Sequence, residues 1–137
     1  MTLLYQNVRS LKNKLLDLKS KSHSSQLCPD IIVFSETKLQ DDVHNSELGL
    51  VNFNIHRQDR SPKNNPSQRG GGVMICTKKH LNAVPIILDD CNVELCPVRI
   101  KLQALNVIIV AAYLPHASTA LPSAAMSAEF DSLCTYV

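Results

Sequence analysis

The chain of 137 residues contains no tryptophan, and aromatic side chains make up only 4% of it. No aromatic alternates with its basic residues, so stacking on unpaired bases is not indicated. The longest apolar stretch, residues 107–114, is far shorter than the roughly 20 residues a membrane-spanning helix requires. The opening MTLLYQNVRS has no basic region ahead of its apolar part, so a secretory signal is not expected there. The five cysteines are odd in number, and no two have the two-residue spacing of a zinc knuckle or redox pair. Thiols in an intracellular, reducing compartment are the expectation. No internal repeat is present, and Gly70-Gly71-Gly72 is too short to count as low complexity.

What is present suits one globular domain over residues 1–137. A hydrophobic share of 45% and a charged share of 19% are ordinary for such a domain. Its core would bury roughly two-thirds of the surface of the unfolded chain. The net charge of +2 conceals a segregation: +4 over residues 1–29, −4 over 30–50, +5 over 51–80 and −3 beyond. That alternation suits a polyanion-binding surface beside an acidic metal pocket, or simply a solvated charged surface.

Apolar patterning predicts strands over residues 2–6, 31–35, 53–56, 73–77, 84–88, 93–102 and 105–113. Leu11, Leu15 and Leu18 recur at helical spacing, predicting a helix over 11–21 with Ser10 as its N-cap. Phe130, Leu133, Cys134 and Val137 predict a second, with Ser127 as its cap. Residues 37–51 lack clean periodicity and are expected to form a surface connection with a short helical turn. The segment DRSPKNNPSQRGGG reads as a loop. Short connections favour antiparallel hairpins for the later strands. An α/β (α+β) domain dominated by sheet follows, with a layer that the elements do not obviously complete.

Three of the apolar runs end on a polar residue useful to phosphodiester chemistry. LLYQ runs into Asn7, IIVFS into Glu36 and VIIVAA into Tyr113. The Asn7 amide can orient a metal-bound water or bond a phosphate oxygen, or can simply form a turn. Glu36 can bind Mg²⁺ or form a salt bridge. The Tyr113 phenol, fixed by the following Leu114-Pro115, can donate to a phosphate oxygen or can cap the core. Lys63, Arg69, Lys78 and Lys79 could neutralise backbone phosphates.

Taken in order, Asn7-Val8-Arg9-Ser10-Leu11, Pro29 to Thr37 with its Ser-Glu-Thr, Arg57-Gln58-Asp59-Arg60 with Gly70-Gly71-Gly72-Val73, Glu94-Leu95, Val98-Arg99-Ile100 and Tyr113-Leu114-Pro115 resemble the endonuclease/exonuclease/phosphatase superfamily. The resemblance is strongest to the apurinic-type endonuclease domain of non-LTR retrotransposons. It implies the N-terminal portion of a four-layered αββα sandwich, C-terminal strands missing, that uses Mg²⁺ or Mn²⁺ to cut DNA. By the same resemblance Asn7 and Glu36 organise the metal, Tyr113 supports the scissile phosphate, and Arg57 and Arg60 face DNA or brace the site; Lys63 and Arg69 join them as nucleic-acid contacts on charge alone. The family's later Asp-x-Asn and Ser-Asp-His motifs are not found in this chain, so no activity is expected of it alone, and His116 is not expected to substitute. A non-catalytic nucleic-acid-binding fragment, or a phosphatase or RNA nuclease of the same superfamily, are the alternatives. The resemblance suggests the nucleus as the compartment.

Overall fold

The computed structural model describes residues 1–24, 28–60, 70–88, 94–113 and 131. The strands are β1 (Leu3–Asn7), β2 (Ile31–Ser35), β3 (Phe53–Gln58), β4 (Val73–Lys78), β5 (Val84–Pro85), β6 (Glu94–Leu102) and β7 (Leu105–Tyr113), with helix α1 (Leu15–Ser24) after β1. They form two sheets, one ordered β1-β2-β4-β3 and the other β5-β6-β7. β1 and β2 are parallel, as a helical crossover requires, and the remaining pairings are antiparallel.

β2 explains the layering. All five of its residues are buried, and successive side chains of a strand point to opposite faces. Ile31 and Val33 enter a core with Val73 and Ile75 of β4, Cys96, Val98 and Ile100 of β6 and Ala111 of β7. That core lies between the sheets. Ile32 and Phe34 point the other way, into a second core with Met74, Cys76, Leu11, Leu15 and Leu18. A strand covered on both faces reads as a continuous apolar run, which is why IIVF shows no alternation.

The segment 37–51 corrects the expectation of a surface connection. Leu39, Val43, Leu48 and Leu50 are buried in the second core, around a 3₁₀ turn at Asn45–Leu48. It joins α1 in covering the same face of the first sheet. The four leucine and valine positions follow no helical or strand period because the segment is irregular.

Other boundaries shift for local reasons. A 3₁₀ turn (Lys12–Lys14) precedes α1, and Ser10 is not its cap. The amides of Ser10 and Leu11 are instead used by the carbonyls of Glu36 and Thr37, each at 2.9 Å, which delays the helix. The strand expected over 84–88 is reduced to two residues, because Pro85 lacks an N–H and the chain leaves the sheet after the Ile86 amide bonds the Pro97 carbonyl. The β6–β7 hairpin closes on Gln103-Ala104 with Gln103 at φ 30°. The helix expected near the C-terminus and its Ser127 cap lie outside the described residues. Among the described residues no helix is long and apolar enough to cross a membrane.

The described thiols belong to the packing. Cys76 and Cys96 are buried, and desolvation pushes them up to about 12 and about 11 respectively. Neither is a nucleophile near neutral pH.

Candidate active site at the strand ends

Parallel strands end on the same side of a sheet, and their carboxyl ends are a favoured place for ligands in α/β folds. The in-register pairing of β1 with β2 sets Asn7 opposite Ser35. Glu36 is the next residue. Asn7 Nδ2 donates to Glu36 Oε1 at 2.9 Å, while the Arg9 amide donates to Asn7 Oδ1 at 3.2 Å. The Asn7 side chain is thus held at both ends, and it holds one oxygen of the carboxylate. Glu36 Oε2 has no protein partner among the described residues. Asn7 is exposed and Glu36 half-buried, so a solute can reach the pair.

The backbone here is costly to make. Arg9, Glu36 and Lys38 occupy left-handed conformations at φ 51°, 54° and 52°, and Ser10 lies at φ 122°. A non-glycine residue in that region costs about 1 kcal/mol or more. Four of them in two adjoining segments mark this end of the sheet as a place where conformation is held by its surroundings. The clamp is a continuation of the strand pairing: Val8 to Ser35, Ser10 to Glu36 and Leu11 to Thr37 on one side, Thr37 to Gly72 and Lys38 to Gly71 on the other.

The glycines are required by that clamp. Gly72 has φ +83°, and a Cβ there would lie 2.5 Å from Thr37 Oγ1. Gly71 has φ +81°, and its Cβ would lie 2.5 Å from Glu94 Oε2 and 2.9 Å from Arg60 Nε. Only a hydrogen fits in either place.

Tyr113 ends β7, half-buried against the inter-sheet core. Among the described residues it bonds neither Asn7 nor Glu36. Its ring lies under the Arg60 guanidinium, 5.4 Å from the centroid. Arg60 Nε donates to Glu94 Oε1 at 2.5 Å, and both side chains are nearly buried. Arg57, the other arginine of the pair, bonds Asp59 at 2.8 Å, the Gln40 carbonyl and Asn45. Burial pushes the Asp59 carboxyl above its ordinary value against the pull of Arg57. Both arginines are therefore engaged with the protein's own acids. Lys63, Arg69 and His116 lie outside the described residues.

Among the described residues no three His, Cys, Asp or Glu side chains gather closely enough to hold a metal alone. The donor set at Asn7 and Glu36 is nevertheless one a hard cation accepts. Mg²⁺ keeps several waters and is commonly bound by one or two carboxylates together with substrate phosphate oxygens. A free carboxylate oxygen at an exposed strand end meets that requirement.

Sequence reasoning named Glu94 only within the Glu94-Leu95 element of the resemblance and gave it no role. The signal available was a carboxylate at the head of an otherwise apolar strand start, ELCPV, where a charge needs a partner to be buried.

Comparison with known proteins gives the fold. No family model matches the chain, and no curated protein matches it. Solved structures do. A Neisseria 3′ phosphatase, NExo D146N bound to a product DNA hairpin, matches with a TM-score of 0.52 and 21% identity over 79% of this chain and 40% of its own. The 3′-5′ exonuclease NExo of Neisseria meningitidis matches at 0.50 and 20% identity, with the same coverage of 79% and 40%. A humanised D. rerio TDP2 matches at 0.52 with 14% identity, over 85% of this chain and 51% of its own. The chain thus spans about two-fifths to a half of the length of these structures. The likeness is one of fold alone: the two sheets with few helices correspond to part of the architecture of these structures.

Proposed function

We propose that the chain carries the cation-binding part of a phosphodiesterase site, of the kind with which non-LTR retrotransposon endonucleases nick DNA. The observation that supports this reading is the hydrogen bond from Asn7 to one oxygen of Glu36, at the carboxyl ends of two parallel strands, with the other oxygen unpartnered among the described residues. In this reading Glu36 ligates Mg²⁺ or Mn²⁺, and Asn7 orients the carboxylate. The bound cation would supply charge neutralisation at the phosphate. Tyr113 is assigned to the scissile phosphate, where a phenol donates to an oxygen that gains charge in the transition state. The basic segment holding Lys63 and Arg69 is assigned to the DNA backbone, with Arg57 and Arg60 on the bracing side of the notional pair of roles. A reducing, nuclear setting goes with a DNA substrate.

The test has two parts. Titration of the ¹⁵N-labelled chain with Mn²⁺ is expected to broaden the Asn7 side-chain amide and the Glu36 and Thr37 backbone amides first, and Glu36→Gln to remove that effect. Uniform broadening, or none, overturns the cation site. Supercoiled plasmid with Mg²⁺ then reads turnover. Nicking that Glu36→Ala abolishes supports the endonuclease reading. Retained hydrolysis of soluble phosphomonoesters with no nicking favours a phosphatase. Salt-sensitive DNA binding without turnover favours a binding fragment.

A further inference from the structure

Glu94 is 5% exposed and stands at the first position of β6, paired in register with Tyr113 at the last position of β7. Its two carboxylate oxygens take different donors. Oε1 accepts from Arg60 Nε and Oε2 from the Gly72 amide, each at 2.5 Å. From each donor a short path leads to a candidate catalytic group. Arg60 lies over the Tyr113 ring. Gly72 accepts the Thr37 amide at 3.1 Å, and Gly71 accepts the Lys38 amide at 2.9 Å, so the glycines hold the segment directly following Glu36.

A buried ion pair of this sort is weak as a source of stability, since an apolar replacement of similar volume does as well or better. It does fix geometry. Two charge-assisted bonds on one carboxylate leave little freedom to either donor. The absence of a side chain at Gly71 is part of the arrangement, because the Glu94 carboxylate and Arg60 occupy the space a Cβ would take.

We propose that Glu94 is a positioning residue that sets the separation of Glu36 and Tyr113 across the gap between the two sheets. Arg60 is its arm to the phenol, and Gly72 is its arm to the carboxylate. The arginine also neutralises the buried acid, so Glu94 adds no net charge beside the cation assigned to Glu36. This inference rests on the reading above, in which Glu36 and Tyr113 act on one phosphodiester.

The test uses the full chain and separates the two ideas. In ¹⁵N spectra the Arg60 Nε–H signal is expected to be visible and protected from exchange. Glu94→Gln is expected to abolish that signal, to move the Thr37 and Lys38 amides and the Tyr113 ring signals, and to leave Asp30 and Lys78 at the far end of the sheet unmoved. Arg60→Lys keeps the charge but loses the planar group. It is expected to move the Tyr113 ring while Thr37 and Lys38 stay in place, and it serves as the deciding variant should Glu94→Gln fail to fold. Unmoved Tyr113 signals in Arg60→Lys, or unmoved Thr37 and Lys38 signals in a folded Glu94→Gln, overturn the proposal. Where the chain nicks plasmid, Glu94→Gln is expected to lower kcat by about 10- to 100-fold with KM for DNA changed less than about twofold, the signature of misplacement rather than lost binding. A KM effect alone overturns it as well. Nicking that survives Glu36→Ala defeats the assignment of Glu36 to the cation, while the spectra still judge the brace.

Discussion

Two carboxylates flank β2, and they are treated in opposite ways. Asp30, just before the strand, accepts from the Thr2 amide at 2.8 Å, the Thr2 hydroxyl at 3.2 Å and Lys78 Nζ at 3.1 Å. Those donors, the Thr2 amide first, hold its carboxyl at about 2. Glu36, just after the strand, accepts one side-chain amide and sits on a left-handed backbone. The same strand thus ends in a satisfied acid at one side and an under-satisfied acid at the other. Satisfaction closes a structure, whereas a carboxylate kept short of donors at a strained position remains available to something else.

The largest effect that can test this contrast is on Glu94, the acid proposed to brace the Glu36 end. Glu94→Ala leaves Arg60 nearly buried and without its carboxylate, and is expected to cost about 3–5 kcal/mol in urea unfolding. A cost below about 1 kcal/mol would mean that water takes the place of the carboxylate and that the cluster is not closed. Gly72→Ala follows, at about 2–4 kcal/mol, because it combines a positive φ with a Cβ 2.5 Å from Thr37 Oγ1. Gly70→Ala is its control. There the nearest atom is Lys38 Cε at 3.7 Å, so only the backbone strain at φ +111° remains, about 1–2 kcal/mol. Equal losses at the two glycines would remove the argument that close packing onto the Glu36 segment is what the glycine run provides.

Glu36→Gly sharpens the comparison further. Glycine relieves the φ of 54°, at the expense of a more flexible unfolded chain. Stability is expected to hold or to rise by up to about 1 kcal/mol in thermal melts, while the Mn²⁺ response at Asn7 disappears. A residue that destabilises its own fold and is needed for binding is the pattern expected of a functional position. A loss of more than about 1 kcal/mol would instead make Glu36 a structural residue like Asp30.

Sequence patterning made the strand ends legible and their meeting only partly so. Asn7, Glu36 and Tyr113 each stand at or just past a strand end, as the apolar runs imply. That Asn7 reaches Glu36 follows from parallel, in-register pairing of β1 with β2, which a single run of five residues does not encode. The proposed link to Tyr113 is not legible in the sequence because it passes through Arg60, Glu94 and Gly72, whose hydrogen-bond partners are 22 to 34 positions apart. Residues 37–51 were hidden for another reason. Leu39, Val43, Leu48 and Leu50 are buried by an irregular segment, and periodicity detects only regular ones. The hairpin turn at Gln103-Ala104 lacks the Asn-Gly chemistry that usually announces it, and was inferred from its shortness alone.

The smallest expected effect concerns the satisfied acid and is visible only in acid. The Asp30 carboxyl releases its proton at about 2 when folded, against 3.8 for the ordinary group, so between those values the unfolded chain binds more protons than the folded one. Its contribution is therefore fully present above about pH 4 and is lost progressively as the pH falls towards about 2. Asp30→Asn is expected to flatten that part of the stability profile while leaving the melt near neutral pH lower and the Mn²⁺ response of Asn7 unchanged. Because the side chain is still partly open to solvent, the slope rather than the absolute stability is the quantity to measure. If Asp30→Asn alters cation binding at Glu36, the two ends of β2 are coupled through the strand, and the division between a closed end and an open end gives way to a single cooperative unit.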